Sequence, residues 1–274
     1  MAGTLYLVPT PIGNLGDISR RCAETLAAAD LIAAEDTRVT LKLLSHLGLK
    51  KPLVSYYRHN TDEAGEKLLE RLQAGEDVAL VTDAGTPAVS DPGEDMVALC
   101  AANGVPVVAL PGPCALTTAL SVSGLPTGRF TFEGFLPRNK KNRRAQLEEL
   151  KNEPRTMIFY EAPHKLRNTL SDLAETFGPD RRISLCRELT KLHEEVIRTT
   201  LAEAAELHRE KEPRGEYVLV VEGACPTKEE ATLEDGLERV SALMGEGLSR
   251  KDAVRQAAKE LGLSRSELYN AGLE

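Results

Sequence analysis

The sequence predicts an α/β fold: two α/β domains with a ligand cleft between them, followed by a small helical domain. Three observations carry this. Short apolar runs alternate with capped, amphipathic segments, the spacing of a parallel sheet. Three of those runs end in loops of Pro, Gly and small side chains: Val8-Pro9-Thr10-Pro11-Ile12-Gly13-Asn14, Thr82 to Gly93, and Ala109-Leu110-Pro111-Gly112-Pro113-Cys114-Ala115. Beyond Gly223 the strand signal stops and only helical patterning remains. Open α/β sheets bind ligands outside the carboxyl ends of their strands, so three such loops predict one shared cleft.

Taken in order, residues 4–9 read as a first buried strand, and Ser19 caps a helix with Leu26 on its apolar side. A strand over Asp30 to Ala34 ends in the polar cluster Glu35-Asp36-Thr37-Arg38. Leu41, Leu44 and Leu47 mark a helix stopped by Gly48, and Leu53 to Tyr56 a short strand. Asn60 with Glu63 three residues on predicts a capping box for the helix carrying Leu68, Leu69 and Leu72. The strand 77–82 stops at Asp83, a carboxylate placed to accept from an ammonium or a ribose hydroxyl, and Pro92 is expected to open the next helix. A strand over 105–109 and a helix from Cys114 to about Ser123 complete the first domain, 1–125.

Gly124-Leu125-Pro126-Thr127-Gly128 is the clearest break, and a second domain is expected over 126–224. Strands are predicted at Phe130 to Phe135, Thr156 to Tyr160, Arg182 to Cys186 and Tyr217 to Val221. Helices are predicted from the basic run to about Lys151, at Pro163 to Phe177 and at Leu201 to Arg209. The tail, 225–274, is expected to hold helices near 228–244, 249–261 and 264–270, the last opened by a Ser264–Glu267 capping box. Helix, Gly262 turn, helix has the proportions of a helix-turn-helix.

Composition narrows the chemistry. The net charge of −8 argues against a protein that coats nucleic acid uniformly, yet Arg138, Lys140, Lys141, Arg143 and Arg144 crowd one segment without an acid. Such a patch suits an RNA held at one place, or simply a solvated linker helix. Five dispersed cysteines without C-x-x-C spacing indicate reduced thiols and a cytoplasmic setting, and no metal site is expected from the histidines. No run is long enough to span a bilayer, and the start lacks the basic n-region of a secretory signal. P-loop, G-x-G-x-x-G and G-x-S-x-G motifs are absent, leaving a cleft of small residues and carboxylates. That suits a cationic or neutral ligand bringing its own leaving group, as S-adenosylmethionine does.

Residues Val8 to Ile18, Ala34 to Arg38, Thr82 to Gly93, Pro111-Gly112-Pro113, Tyr160 to His164 and Arg187-Glu188-Leu189-Thr190-Lys191 together resemble the ribosomal RNA small subunit methyltransferase I (RsmI) group of the tetrapyrrole methylase superfamily. The resemblance runs in order along essentially the whole chain. It implies S-adenosylmethionine between two α/β domains, a homodimer, and 2′-O-methylation of a cytidine in small-subunit (16S) ribosomal RNA, presented free or in the 30S subunit. On that basis the cofactor is expected at Pro11, Ile12, Asp83, Gly85, Thr86, Cys114 and Ala115, with Tyr160 and Glu161 from the second domain. Cys114 stands where much of the superfamily has Ser, so backbone contacts are expected there.

A ribose hydroxyl is a poor nucleophile, which calls for aligned geometry and a proton acceptor. Asp36 and His59 are the expected acceptors, with Arg38 positioning a phosphate or neutralising charge; an internal salt-bridge network is the competing reading of Glu35 to Arg38. RNA contacts are expected at Arg138, Lys140, Lys141, Arg143 and Arg144. Two other functions remain open: a tetrapyrrole methyltransferase of the cobalamin or siroheme pathways, and a non-catalytic ribosome-binding module.

Overall fold

The computed structural model describes residues 2–210, 212–225 and 232–271. They form two compact units, 1–224 and 225–274. In the first unit, β1 (Leu5–Leu7), β2 (Leu31–Ala34), β3 (Leu53–Ser55), β4 (Val78–Val81) and β5 (Val107–Ala109) make a sheet in the order β3-β2-β4-β1-β5. Every pairing in it is parallel. β2 and β4 are buried on both faces, which is why they read as unbroken apolar runs. Alternation then sorts their side chains. Leu31, Ala33, Val78 and Leu80 pack with Leu68, Leu72 and Met96 of helices α3 (Thr61–Gln73) and α4 (Glu94–Ala102). Ile32, Ala34, Ala79 and Val81 pack with Cys22 and Leu26 of α1 (Arg20–Ala28) and Leu43 and Leu44 of α2 (Thr37–His46).

The second sheet is mixed. β6 (Phe130–Phe135), β7 (Thr156–Glu161), β8 (Arg182–Arg187), β9 (Glu195–Thr200) and β10 (Tyr217–Val221) lie in the order β6-β7-β10-β8-β9. Only β6 and β7 pair in parallel. One face is covered by α6 (Lys140–Glu149), α7 (Pro163–Phe177) and α8 (Leu201–Glu210), whose Leu147, Leu166, Leu170 and Leu201 meet Met157, Phe159, Leu185 and Leu219. The opposite face receives α5 (Ala115–Val122): its Leu116, Ala119 and Leu120 pack on Ile158, Cys186, Val218 and Val220. The last helix before the Gly124–Gly128 break thus lies on the sheet that follows it, and both sheets belong to one compact unit.

Several local expectations are corrected. β9 adds to the expected strands: Glu195-Val196-Ile197-Arg198-Thr199-Thr200 is an edge strand of mixed polarity whose burial is supplied by its neighbours. The Asn60–Glu63 capping box does not form. Asn60 instead accepts from Tyr57 N (2.7 Å) and donates to Ser55 O (3.1 Å), tying the turn after β3, while Glu63 pairs with Lys67. Helix α4 opens at Glu94 with Gly93 as its N-cap, two residues after Pro92.

The second unit holds α9 (Leu233–Gly245), α10 (Arg250–Leu261) and α11 (Arg265–Ala271) around Val240, Leu243, Val254, Ala257 and Leu268. The helix start expected near 228 lies outside the described residues. A reciprocal capping box joins Thr232 and Asp235 at the head of α9. At α11 the Ser264 hydroxyl accepts from Glu267 N at 3.4 Å, half of the box expected there.

Candidate active site

The three Pro/Gly loops meet. Thr10 and Gly85 exchange backbone hydrogen bonds (2.9 and 3.0 Å), joining the loops after β1 and β4. The Thr10 hydroxyl donates to Thr82 O at 3.1 Å, and the Thr86 hydroxyl to Pro113 O at 2.9 Å, which brings in the loop after β5. Gly112 lies so close to Pro9 that a Cβ there would sit 2.5 Å from the Pro9 Cβ. A glycine is needed because neither the proline ring nor the loop backbone can yield.

These loops and the face of the second sheet enclose a cavity of about 400 Å³, within the range of small-molecule sites. Ile12, Ala84 to Thr86, Val89 to Asp91, Cys114 and Ala115 form the wall on the side of the first sheet. Phe135, Tyr160 to Pro163, Cys186, Leu189 and Glu216 to Val218 form the wall on the side of the second. The two walls are tied by Tyr160, whose hydroxyl oxygen accepts from Leu116 N in the first turn of α5 at 3.1 Å. Burial pushes the Tyr160 hydroxyl well above its ordinary pKa, so it stays protonated.

Of the residues expected at the cofactor, Ile12, Gly85, Thr86, Cys114, Ala115, Tyr160 and Glu161 line this cavity. Pro11 and Asp83 are outside its wall. The Glu161 carboxylate is committed locally: it is 1% exposed and accepts from Ala162 N and the Thr169 hydroxyl, with Lys165 Nζ 3.9 Å away. It fixes the β7–α7 corner and lends the cavity a rigid rim.

Asp83 belongs to a carboxylate group at the strand ends. Its Oδ1 accepts from Asp36 N at 3.0 Å, and its own N–H donates to Glu35 at 3.4 Å. Burial raises the pKa of Glu35, with the charges of Asp91 and Asp83 adding to it. Burial likewise raises Asp83 and Asp91. Arg58, which donates to Ser90 O at 3.3 Å, partly offsets this charge at Glu35 and Asp91. Asp91 is the carboxylate of this group that reaches the cavity wall. It lies within the Thr82 to Gly93 loop, where no periodicity or spacing distinguishes it from its neighbours.

The expected catalytic residues are elsewhere. Asp36 caps α2, accepting from Arg38 N at 2.8 Å, and holds the Arg38 guanidinium at 2.6 Å. Arg38's hydrogen bonds pull the Asp36 carboxyl down to about 2, which makes it a weak proton acceptor. The competing salt-bridge reading of this cluster describes the geometry. His59 lies exposed in the turn after β3, and none of Asp36, Arg38 and His59 lines the cavity.

The basic segment divides. Arg138, Lys140 and Lys141 are exposed and have no ion pair among the described residues. Arg143 is turned inward: its Nη2 lies 2.6 Å from Asp172 Oδ2, and the two side chains are 9% and 4% exposed. The expected RNA contact by Arg143 is therefore corrected to a buried ion pair holding α6 on α7. Arg144 is half-exposed and shared between Asp172 and Glu175.

Comparison with known proteins places this geometry. Residues 4–205 match the Tetrapyrrole (Corrin/Porphyrin) Methylases, and residues 230–274 match the RsmI C-terminal HTH domain. The chain is 48% identical to the ribosomal RNA small subunit methyltransferase I of Synechocystis sp., over 99% of this chain and 98% of that protein. It is 47% identical to the protein of that name from Escherichia coli O157:H7, over 99% and 95%. Among solved structures, uroporphyrin-III C-methyl transferase from Thermus thermophilus complexed with S-adenyl homocysteine superposes with a TM-score of 0.56 at 22% identity, over 80% of this chain and 97% of that one. The methyltransferase CobJ superposes with a TM-score of 0.60 at 20% identity, over 81% and 95%. These two show the shared fold.

Proposed function

This chain belongs to the tetrapyrrole (corrin/porphyrin) methylases, and from that premise we propose that it transfers a methyl group from S-adenosylmethionine to small-subunit ribosomal RNA, at the 2′-hydroxyl of a cytidine. The observation that carries this reading is identity close to one half with small-subunit methyltransferases along the entire chain, the helical tail included. A porphyrinoid acceptor has no such support: the porphyrin enzymes it resembles share its fold at low identity.

The cleft fits the cofactor. Small side chains at 84–86 let a ligand come close to the loop, whose shape the Thr10–Gly85 bridge fixes. Ile12, Leu189 and Val218 supply apolar wall, and Asp91 supplies a carboxylate whose ionised form a cation would favour. We assign cofactor contacts to Ile12, Gly85, Thr86, Cys114, Ala115 and Tyr160, with Asp91 added from the structure. When bound, S-adenosylmethionine supplies an electrophilic methyl group on a sulfonium. The protein's part is to align the acceptor, exclude water and take up a proton. Asp91 stands in the cavity wall and so suits proton uptake better than Asp36, which pairs with Arg38 outside it and which we assign to holding the start of α2.

Arg138, Lys140 and Lys141 are proposed to meet the RNA backbone. A homodimer and a cytoplasmic location belong to the same reading; among the described residues no helix is long and apolar enough to cross a membrane. The test is methyl transfer from radiolabelled S-adenosylmethionine to small ribosomal subunits, naked rRNA and a porphyrinoid in parallel. Label in an alkali-resistant rRNA nucleotide is expected. Label in the porphyrinoid alone, or in none of the three, would overturn the proposal.

A further inference from the structure

Phe135 has a placement that neither packing nor the cofactor assignments require. It is the last residue of β6, an edge strand, and it lines the cavity while remaining 56% exposed. Aromatic residues make up only 4% of the chain. Among the described residues, Tyr57, Phe130 and Tyr269 are also largely exposed, but only Phe135 of these stands in the cavity wall.

The backbone is shaped to put it there. Side chains three apart on a regular strand point to opposite faces. Between Phe132 and Gly134 the β6–β7 register slips by one residue, and Gly134 takes φ +63. That bulge restores a common face. Phe132 and Phe135 both meet Tyr160 edge-on, with centroids 4.9 and 5.5 Å apart. Lys165 Nζ lies 5.9 Å from the Phe135 centroid, and the exposed Arg138, Lys140 and Lys141 follow within six residues.

To bring its ribose hydroxyl into a cavity walled by both sheets, an RNA nucleotide must leave its stack, and the lost stacking needs replacement. An exposed aromatic ring in the cavity wall, followed in the chain by exposed cations without an ion pair among the described residues, supplies that replacement. We propose that Phe135 is the stacking surface for the base of the acceptor nucleotide, with the Arg138–Lys141 segment holding the adjoining phosphates. This rests on the rRNA reading above.

The experiment compares wild type, Phe135→Leu and Phe135→Tyr in methyl transfer to small ribosomal subunits, alongside calorimetric titration with S-adenosylhomocysteine. Leucine keeps an apolar side chain and removes the ring; tyrosine keeps the ring and serves as the folded conservative rescue. One base–aromatic stack corresponds to a loss of about five- to 150-fold in kcat/KM for Phe135→Leu. Phe135→Tyr is expected to restore transfer, and both variants are expected to bind S-adenosylhomocysteine as wild type does. Wild-type turnover by Phe135→Leu would overturn the stacking role. A matching loss of S-adenosylhomocysteine affinity would also overturn it, by moving the ring to the cofactor. Absence of transfer by wild type would instead remove the rRNA reading itself.

Discussion

Removing Asp172 should unfold the α6–α7 contact rather than weaken RNA binding. Its carboxylate takes Arg143 Nε at 2.8 Å and Nη2 at 2.6 Å through Oδ2, and Arg144 Nε at 2.9 Å through Oδ1. With the Arg143 and Asp172 side chains 9% and 4% exposed, Asp172→Ala leaves a guanidinium buried without a counter-charge. Breaking a buried pair in this way costs about 3–5 kcal/mol, and a melting temperature moves by about 2–4 °C per kcal/mol in a unit of this size. The expected fall is therefore roughly 6–20 °C in a thermal melt followed by circular dichroism. Replacing both partners, Arg143→Met with Asp172→Leu, should recover most of it, because the desolvation penalty disappears with the charges. The complementary assay is rRNA affinity against salt concentration. Arg143→Met should leave the slope unchanged, whereas Lys140→Ala or Lys141→Ala should each lower it by about 0.7–0.9. A stable Arg143→Met protein whose slope falls by one contact would refute the inward placement of Arg143.

Four further outcomes are expected. Gly112→Ala forces a Cβ to within 2.5 Å of the Pro9 ring, and should cost about 1–3 kcal/mol in denaturant unfolding; an unchanged midpoint would show that the loops do not pack as described. Tyr160→Phe removes the acceptor for Leu116 N and should cost about 1–3 kcal/mol, since a donor at the cavity edge loses its partner; unaltered stability would show that water replaces the hydroxyl. Burial raises the pKa of Asp91 from its ordinary value, with Asp83 adding to the shift and Arg58 opposing it. A cation in the cavity favours its ionised form, so S-adenosylmethionine affinity should fall as pH drops through that raised value. The neutral thioether S-adenosylhomocysteine should show a flatter curve, and Asp91→Asn should flatten the first; parallel curves for both ligands in wild type would remove Asp91 from the site. The same shift sets a stability trend: a carboxyl raised in the folded state costs nothing below its ordinary pKa and its full penalty above the raised one. Asp91→Asn should therefore stabilise the protein at neutral pH.

By itself the sequence determined what depends on neighbours along the chain. Unbroken apolar runs at Leu31–Ala34 and Val78–Val81 fix strands buried on both faces. Pro and Gly end them in loops with too little side-chain bulk to fill a cleft, and Ser19 and Gly48 bracket helices by local hydrogen bonding. The order of such stretches also sufficed to place the chain in its family. Only the tertiary structure decided the rest, because each remaining feature depends on partners distant in sequence or on a change of backbone phase. Arg143 and Lys141 are equivalent in a run of basic residues until Asp172, 29 positions on, takes one of them inward. Asn60 has the pattern of a helix cap, but the Tyr57 N–H offers it a better-placed donor and the Ser55 carbonyl a better-placed acceptor. β9 exists because β8 pairs with it. Phe135 reads as one more strand residue until the Gly134 bulge shifts the pleat by one and turns its ring into the cavity. Hydrophobic period and capping act over a few residues, whereas ion-pair partners, sheet edges and register are set by contacts made only when the chain has folded.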